Sequence, residues 1–479
     1  MKTSVIVGAI AAFIAAPVTA QSAQERLDAR YDRALAAGYK GLMLCSAIAN
    51  AERVGGERTP QSVHEWELTG IYPALDPIIR DLPYEIVRAE EGHIRHVLVE
   101  WADDMPPRIA RHDYDHGCVT LPIGWDAATL LPELDAPVVT QEPEREEERF
   151  SFTIEAQKSD GWTKPQPTAL DTVLDAAMSG GYGEGSRTTV VMIERREGTG
   201  GLVGAARLAP GFSEKTPQRT WSVAKSIAAT LVGVAKHNGE ACIGDQLLTK
   251  ATPAAGDPRN AVSVDHLLRM ASGRYSDTPG NRTDPLYWGG TTIDERAANW
   301  PLVHKPGTVY RYANNDTLMA VEAIACSFDA HPPSEFFAKL GMNATIAETD
   351  WQGNYVLSSQ VWSTADDLAK LGLLYLNNGV WNGERILPEG WRDYVSTPSG
   401  PQPEGTQWGY GAGWWTFRRP EGNAFEGIPD DAFAARGNRG QYVVVVPSRN
   451  VVIVRRGEDV VGTRFDIAAF TRDVLAALD

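Results

Sequence analysis

The sequence has few cysteines and histidines, and it lacks two of the commonest hydrolase motifs. Among 479 residues there are 4 cysteines and 9 histidines. Neither G-x-S-x-G nor H-E-x-x-H occurs, which argues against the α/β-hydrolases and the common zinc proteases. No apolar run beyond residue 20 reaches the ~18 residues that a membrane-spanning helix needs. We therefore expect no membrane span in the mature chain.

Positive charge is also scarce. The chain carries 45 lysines and arginines against 62 aspartates and glutamates, for a formal net charge of −17. Because the phosphates of nucleic acids require a basic surface, this balance argues against a nucleic-acid partner. Hydrophobic residues make up 43% of the sequence, enough for a sizeable core, and the length predicts two or three domains.

Residues 1–20 are typical of a secretory signal peptide. Lys2 provides the positive start, Ser4 to Ala16 form the apolar run, and the following segment ends in the small-residue cleavage pattern Val-Thr-Ala. We therefore expect the mature protein to be exported, to the periplasm or to the medium.

Export gives the four cysteines a structural role, because disulfides persist in oxidising compartments. Four cysteines allow three pairings, and sequence alone does not choose among them. Their placement in the two halves of the chain favours Cys45–Cys118 and Cys242–Cys326. Free buried thiols are the alternative.

A charged, proline-containing stretch at 138–149 is typical of a connector. It separates an N-terminal region, 21–148, of unknown role from a second domain at 149–479. The N-terminal region contains the cluster Arg111-His-Asp-Tyr-Asp-His116. No second His or Cys group follows at a ligand-like spacing, so we favour a loop over a zinc site.

Apolar periodicity and turn residues predict the other elements of the second domain. Helices are expected at 170–178, 318–326 and 368–376, and strands at 188–193, 201–208, 408–417, 441–446 and 451–454. A further helix is expected at 21–40 in the N-terminal region. Strands at both ends of the second domain, with helices between them, suggest one antiparallel sheet closed by its termini.

The clearest chemical signal is Ser222-x-x-Lys225, the only S-x-x-K in the chain. It opens an apolar helix in which Ile227 and Leu231 recur at helical spacing, with Gly239 as a stop. At positions i and i+3 the hydroxyl and the amine share one face. Burial lowers the pKa of a lysine, so Lys225 can take the proton of a nucleophilic Ser222. The alternative is a helix cap beside a solvated lysine.

Tyr312-x-Asn314 supplies the partners downstream. Tyr312 is a candidate general base, because we expect the ammonium of Lys225 to lower the pKa of its phenol. It could help to deprotonate Ser222 and later a water, or protonate the leaving group. Asn314 can offer both a donor and an acceptor to the lysine or the substrate. Tyr310 is the second candidate base, and a strand tyrosine and a turn asparagine are the structural alternatives.

These two motifs, with a glycine motif before a late strand, resemble the serine β-lactamase and penicillin-binding superfamily. The similarity is to the class C branch, which includes esterases, D-amino-acid peptidases and 6-aminohexanoate-dimer hydrolases. It covers about residues 165–479. Four further segments support it: Pro306-Gly-Thr308, Ser363-Thr-Ala-Asp-Asp-Leu-Ala369, Leu387-Pro-Glu-Gly-Trp391 and Gly437-Asn-Arg-Gly-Gln-Tyr442.

The resemblance implies a fold, a set of roles and no metal or cofactor. The expected fold is α/β of the α+β type: a central antiparallel sheet flanked by helices, with an all-helical subdomain. Ser222, Lys225 and Tyr312 would be catalytic. The backbone amides of Ser222 and Asn438 would form an oxyanion hole, which stabilises a tetrahedral intermediate, and Gly437 would allow a close approach to the substrate.

One departure from the family pattern bears on the substrate. Where β-lactamases have Lys-Thr-Gly, this chain has Ala435-Arg436-Gly437. Loss of the lysine and the threonine favours an ester or amide without the drug carboxylate, although Arg436 could partly substitute as a cation. Asn314 is a further expected substrate-binding residue.

Aromatic residues are the remaining candidates for the pocket. Trp414 and, in the loop after Gly273, Tyr275 are expected to contact the substrate, with Trp408, Tyr410 and Trp415 as companions of Trp414. Aromatics of an edge strand are also common in a core.

The sequence thus predicts an exported serine hydrolase that cleaves a small-molecule ester or amide. A β-lactamase or D-alanyl-D-alanine carboxypeptidase-like enzyme is the second reading, and a non-catalytic exported binding protein of the same fold is the third. The oligomeric state is not predicted.

Overall fold

A computed structural model of the chain describes residues 22–126, 168–197, 201–240, 256–276, 283–297 and 300–479. The predicted signal peptide, the connector at 138–149 and Cys242 lie outside these residues. Within the described ranges, no helix combines the length and the apolar character that crossing a membrane requires.

The helices of the described residues follow in chain order. They are α1 (Ala23–Arg53), α2 (Pro60–Glu65), α3 (Asp76–Ile79), α4 (Ala169–Met178), α5 (Val223–His237), α6 (Val264–Leu268), α7 (Asp284–Tyr287), α8 (Ile293–Arg296), α9 (Asn314–Glu322), α10 (Pro333–Lys339), α11 (Ala365–Leu376), α12 (Trp391–Ser396) and α13 (Ile467–Ala477).

The strands of the described residues form one large sheet, a four-stranded sheet and three small ones. They are β1 (Tyr84–Arg88), β2 (Ile94–Val99), β3 (Arg108–Asp113), β4 (Gly117–Thr120), β5 (Thr188–Glu197), β6 (Gly201–Leu208), β7 (Gln218–Arg219), β8 (Ile346–Ala347), β9 (Val361–Ser363), β10 (Val380–Trp381), β11 (Glu384–Arg385), β12 (Gly409–Tyr410), β13 (Trp415–Thr416), β14 (Arg418–Arg419), β15 (Gly422–Asn423), β16 (Phe433–Gly437), β17 (Gln441–Val446) and β18 (Val451–Gly457).

The largest sheet is antiparallel, with the strand order β12-β13-β16-β17-β18-β5-β6. Strand β18, from near the end of the chain, pairs with β5, which confirms the predicted sheet closed by its termini. Alternate residues of β17 and β18 enter two different cores. Helices α5 and α11 contribute to one core, and α4 and α13 to the other. The sheet is therefore covered on both faces, as the expected fold requires.

The N-terminal region is built around α1, whose residues 34–51 are all buried. A sheet with the order β1-β2-β3-β4 lies against this helix. The predicted disulfide Cys45–Cys118 is confirmed and joins α1 to β4. Cys326 is exposed and has no disulfide partner among the described residues. Because Cys242 lies outside them, the second bridge stays a prediction.

Several elements differ from their predictions in extent or shape. The helix expected at 21–40 continues to Arg53. The helix expected at 318–326 begins at Asn314, so the tyrosine motif leads directly into a helix. The segment 408–417 is two short strands, β12 and β13, joined by a turn. At Gly413 in this turn φ is +75°, and a Cβ would lie 2.5 Å from that of Ala229. A straight strand is therefore replaced by a turn that packs against α5.

Candidate active site

Ser222 immediately precedes α5 and is its cap residue rather than part of its first turn. Its side chain is half-buried. The preceding residue, Trp221, has a φ of +50°, which non-glycine residues seldom adopt. Its ring is buried, and the Arg219 guanidinium lies 4.2 Å from the ring centre. This packing stabilises the unusual backbone conformation of Trp221, which places the Ser222 hydroxyl at the start of a buried helix.

Lys225 is 2% exposed, and three oxygen atoms surround its amine. The Nζ atom lies 3.2 Å from Ser222 Oγ, 2.5 Å from Asn314 Oδ1 and 2.8 Å from the Ser358 carbonyl oxygen. Burial lowers the pKa of Lys225 from 10.5 to about 7, because desolvation disfavours the charged amine. Near neutral pH, a large fraction of this lysine is therefore uncharged.

Tyr312 also contacts the Ser222 hydroxyl. Its phenol hydrogen bonds with Ser222, and its ring centre lies 5.1 Å from Lys225 Nζ. Burial raises the pKa of Tyr312 above its ordinary value and outweighs the lowering by the Ser222 hydrogen bond and by Arg436. The predicted lowering by the Lys225 ammonium is therefore wrong, since desolvation of the phenol dominates. Tyr312 is a neutral phenol at physiological pH.

Asn314 fixes the orientation of the lysine. It begins α9 and is 3% exposed. Its Oδ1 atom accepts a hydrogen bond from Lys225, while its Nδ2 donates to Thr283 Oγ1 at 2.8 Å. Because Thr283 engages the amide nitrogen, the amide oxygen is directed to the lysine.

Ser222, Tyr312 and Asn314 line a cavity of about 320 Å³, together with Gly437 and Asn438. A Cβ at Gly437 would lie 2.4 Å from the Thr220 carbonyl oxygen and 3.2 Å from the Ser222 backbone nitrogen. Only glycine therefore allows this strand end to approach the backbone of the serine so closely. The approach brings the predicted oxyanion segment and the nucleophile to one cavity.

The rest of the cavity wall is largely aromatic and includes one arginine. These lining residues are Tyr72, Trp221, Tyr287, Ser359, Trp415, Arg436 and Tyr442. The guanidinium carbon of Arg436 lies 4.2 Å from the ring centre of Trp408 and 4.8 Å from that of Trp415. Such cation–π contacts orient the guanidinium beside the cavity.

A sequence model of the family described as Beta-lactamase matches residues 190–477, which is more than half of the chain. The chain belongs to the beta-lactamase family. The resemblance to the serine β-lactamase superfamily is therefore confirmed. A search of curated proteins found no match.

Several solved structures are similar to this beta-lactamase family chain. A protein described as a 6-aminohexanoate-dimer hydrolase from Bacillus anthracis has a TM-score of 0.50 and 20% sequence identity, over 61% of this chain and 79% of that one. A class C beta-lactamase has a TM-score of 0.47 and 14% identity, over 65% and 96%. A penicillin binding protein from Bacillus halodurans has a TM-score of 0.45 and 16% identity, over 66% and 99%. At 20% identity, the similarity to the Bacillus anthracis protein concerns the fold alone.

Two predicted substrate-binding residues of this family member lie away from the cavity. Trp414 is fully buried and packs against Tyr375 and Phe433, at ring-centre distances of 4.8 and 5.1 Å. Its neighbour Trp415, the first residue of β13, lines the cavity instead. Tyr275 is 40% exposed and is not among the lining residues that the structure describes.

The structure also separates the two candidate tyrosines. Tyr310 packs against Tyr410 with ring centres 5.4 Å apart, and its hydroxyl is buried without a hydrogen-bond partner among the described residues. Tyr312, not Tyr310, contacts Ser222.

The sequence interpretation missed several groups at the site, among them a backbone carbonyl and a tyrosine of the N-terminal region. The carbonyl of Ser358 accepts a hydrogen bond from Lys225, but a backbone oxygen has no residue signature. Tyr72 lines the cavity from the N-terminal region, where no motif marked it.

The histidine cluster of the N-terminal region forms a local turn. His116 Nδ1 lies 3.0 Å from Asp113 Oδ1, which also accepts hydrogen bonds from the backbone amides of Asp115 and His116. Across the ranges that the structure describes, no group of three or more His, Cys, Asp or Glu side chains is placed to hold a metal ion.

Proposed function

We propose that the protein is an exported serine hydrolase that cleaves a small-molecule ester or amide through an acyl-enzyme at Ser222. The observation that supports this most directly is the buried amine of Lys225, 3.2 Å from the Ser222 hydroxyl, whose pKa burial lowers to about 7. A neutral amine at this distance can accept the hydroxyl proton as Ser222 attacks a carbonyl carbon.

The hydrogen bonds of Lys225 favour this direction of proton transfer. A neutral amine has two N–H donors and one lone pair. Asn314 Oδ1 and the Ser358 carbonyl oxygen can only accept, so they take the two donors. The lone pair is then left for the Ser222 hydroxyl, which can donate. The same contacts would hold the ammonium after it has received the proton.

Tyr312 completes the proposed proton path as a donor. Because burial raises the pKa of its phenol, it is protonated when the substrate binds. It can donate a proton to the leaving oxygen or nitrogen when the tetrahedral intermediate collapses, and regain one from the Lys225 ammonium. In deacylation a water replaces the leaving group, and Lys225 takes the proton of that water. The acyl–Ser222 bond then breaks, and the proton returns to Ser222 Oγ.

The backbone amides of Ser222 and Asn438 are the proposed oxyanion hole. Among the described residues, the Ser222 N–H donates to no backbone carbonyl, which leaves it available to a substrate. Gly437 places the adjoining segment against that nitrogen. Each donor of this kind contributes roughly 2.7–4 kcal/mol of transition-state stabilisation.

A fluorophosphonate probe tests the acyl-enzyme assignment. The wild-type protein should gain one probe mass at Ser222, read by intact mass and peptide mapping, and Ser222→Ala should gain none. Ser226→Ala is the matched control: it lies one turn further along α5 and its hydroxyl donates to the Gly413 carbonyl, outside the cavity. Unchanged labelling of Ser222→Ala would disprove the assignment.

A β-lactam substrate is the second candidate, and Arg436 is the observation that favours it. Its guanidinium lines the Ser222 cavity and could pair with a drug carboxylate. Fluorescent penicillin and nitrocefin distinguish this candidate from an ester or amide hydrolase. Stable acylation by the penicillin, or turnover of nitrocefin, would support the β-lactam candidate. Inertness to these and to the fluorophosphonate would favour the non-catalytic binding protein.

A further inference from the structure

The N-terminal region reaches the cavity of Ser222 through Tyr72. This residue lies in the segment between α2 and α3 and is half-buried. It lines the same cavity as Ser222 and Tyr312. Tyr72 lies outside residues 190–477, which match the family model, so the family relationship assigns it no role.

Tyr72 is held by a row of aromatic rings that begins in α1. The ring centre of Tyr72 lies 5.5 Å from that of Trp288, which lies 5.0 Å from that of Tyr39 in α1. Trp288 is fully buried, and its carbonyl oxygen accepts a hydrogen bond from Arg108 at 3.1 Å. Because these rings belong to a packed core, Tyr72 presents a fixed aromatic face to the cavity.

A second connection joins the same segment to the proposed oxyanion loop. Arg439 follows Asn438 and has a φ of +56°. Its guanidinium donates to the carbonyl oxygens of Trp66, Thr69 and Gly70, at 2.8, 2.9 and 3.2 Å.

Arg439 is also paired on its other side. Its Nε lies 2.6 Å from Glu458 Oε2, and both side chains are 2% exposed. Because the fork of a guanidinium bonds several acceptors in fixed directions, this arginine sets the position of the residue before it. Asn438 Nδ2 also donates to the Tyr72 hydroxyl at 3.5 Å. Residues 66–72 therefore contact both Asn438 and Arg439.

We propose that residues 66–72, which we call the N-terminal wall, are part of the active site of this enzyme. Tyr72 contacts the bound substrate and selects for flat, apolar groups. The carbonyls of Trp66, Thr69 and Gly70 position the Asn438 amide through Arg439. Tyr72 is thus a specificity-determining residue, and Arg439 is a positioning residue. This proposal rests on the proposed acyl-enzyme function.

Substrate pairs test the specificity arm. With p-nitrophenyl acetate and p-nitrophenyl benzoate, Tyr72→Ala should lower the benzoate-to-acetate ratio of kcat/KM about tenfold, mainly through KM. Such a change is in the range of one aromatic contact plus its buried area. Tyr72→Phe should keep the ratio, because the ring remains. Tyr114→Ala is the matched control, since Tyr114 is a 40% exposed tyrosine of the N-terminal region outside the cavity lining.

Arg439→Lys tests the positioning arm, because it keeps the charge beside Glu458 but loses the fork. The expected result is a 10- to 100-fold loss of kcat with KM nearly unchanged, since the Asn438 amide acts on the transition state. Arg385→Lys is the matched control: its guanidinium also donates to backbone carbonyls, those of Asn378 and Leu387, and lies outside the cavity lining. It should lower the unfolding temperature without a comparable loss of kcat.

The outcomes separate this proposal from the function on which it rests. If wild-type Ser222 takes no fluorophosphonate, the proposed function fails. If Ser222 is labelled but Tyr72→Ala keeps the substrate ratio and Arg439→Lys keeps kcat, the N-terminal wall is overturned. Equal losses of kcat in Arg439→Lys and Arg385→Lys would overturn the positioning arm. Should Arg439→Lys not fold, Tyr72→Ala, whose side chain is only half-buried, still decides the proposal.

Discussion

The N-terminal region and the part of the chain that matches the family, residues 190–477, each bury a lysine in a long helix, with different results. Lys40 in α1 is fully buried, and its amine donates to the carbonyls of Arg80 and Leu82 at 2.9 and 2.8 Å. Burial lowers the pKa of Lys40 to about 8, although Asp81 opposes the shift. Lys225 in α5 has the same kind of carbonyl contact through Ser358, and burial alone lowers its pKa to about 7.

A hydroxyl neighbour makes the difference. Both amines lie near a tyrosine ring, Lys40 Nζ 4.8 Å from the ring centre of Tyr84 and Lys225 Nζ 5.1 Å from that of Tyr312. Lys225 has in addition the hydroxyl of Ser222, which lines a cavity. Burial therefore lowers the pKa in both places, but only one amine can exchange a proton with a group that a substrate reaches. A depressed lysine pKa indicates a functional site only together with such access.

The largest expected effect separates the two lysines by activity. Lys225→Met should lower the rate of Ser222 acylation about 10³-fold, within the 10²–10⁴-fold range of positioned proton transfer. Lys40→Met should leave this rate near the wild-type value, because its amine contacts no group of the cavity. Its effect is on stability, where the two carbonyls that lose their donor contribute a pH-independent cost of about 1–3 kcal/mol. Stopped-flow acylation and chemical denaturation measure the two effects.

Loss of acylation in both variants, or in neither, would contradict this comparison. Circular dichroism of Lys225→Met is the necessary control, because the variant must be shown to fold.

A smaller effect is expected from Tyr312. Tyr312→Phe removes the proposed donor to the leaving group and one hydrogen bond to Ser222, while the ring still fills its place. We expect a loss of about 10²-fold in kcat for an amide. The loss should be much smaller for a p-nitrophenyl ester, whose leaving group needs no proton. Parallel losses on the two substrates would argue against Tyr312 as the donor.

The pH dependence of acylation follows from the state of Lys225. Only the neutral amine can take the serine proton, and burial places its pKa at about 7. Acylation of the free enzyme should therefore rise about tenfold per pH unit below this value and level off above it. Lys40→Met should show the same profile. Lys225 would be refuted as the base if Lys40→Met shifted the pH at which acylation levels off, or if the wild-type rate were constant from pH 5 to 9.

The fold and the order of the motifs could be predicted because both depend on local patterns. The alternation and apolar runs of β17 and β18 indicated strands, and Ser222-x-x-Lys225 needs only one helical turn to bring its two groups together. Tyr312 could be predicted as a third catalytic residue because the family that the sequence resembles has a tyrosine motif at the corresponding point of the chain. No local pattern brings it to Ser222.

The predictions that were wrong or missing depend on long-range packing. Whether Trp414 or Trp415 faces the cavity is decided by the register of a two-residue strand, and a shift of one residue reverses the answer. The raised pKa of Tyr312 comes from burial by distant parts of the chain. Tyr72 lines the cavity because the N-terminal region packs on the part of the chain that matches the family, for example where Tyr39 contacts Trp288.

The smallest expected effect is on stability, and it again compares the two lysines. A lysine whose folded pKa lies below its ordinary 10.5 opposes folding fully at a pH below the folded pKa, and this cost disappears as the pH approaches 10.5. Relative to wild type, Lys225→Met should therefore gain most in unfolding temperature below pH 7, and the gain should shrink toward pH 10. Lys40→Met should show the same trend, with a smaller change that begins near pH 8. The carbonyls left unpaired in each variant change its unfolding temperature by an amount independent of pH. The measurement that decides is therefore how the difference in unfolding temperature between variant and wild type varies with pH. Differences that do not vary with pH would mean that neither lysine is held partly neutral by the fold.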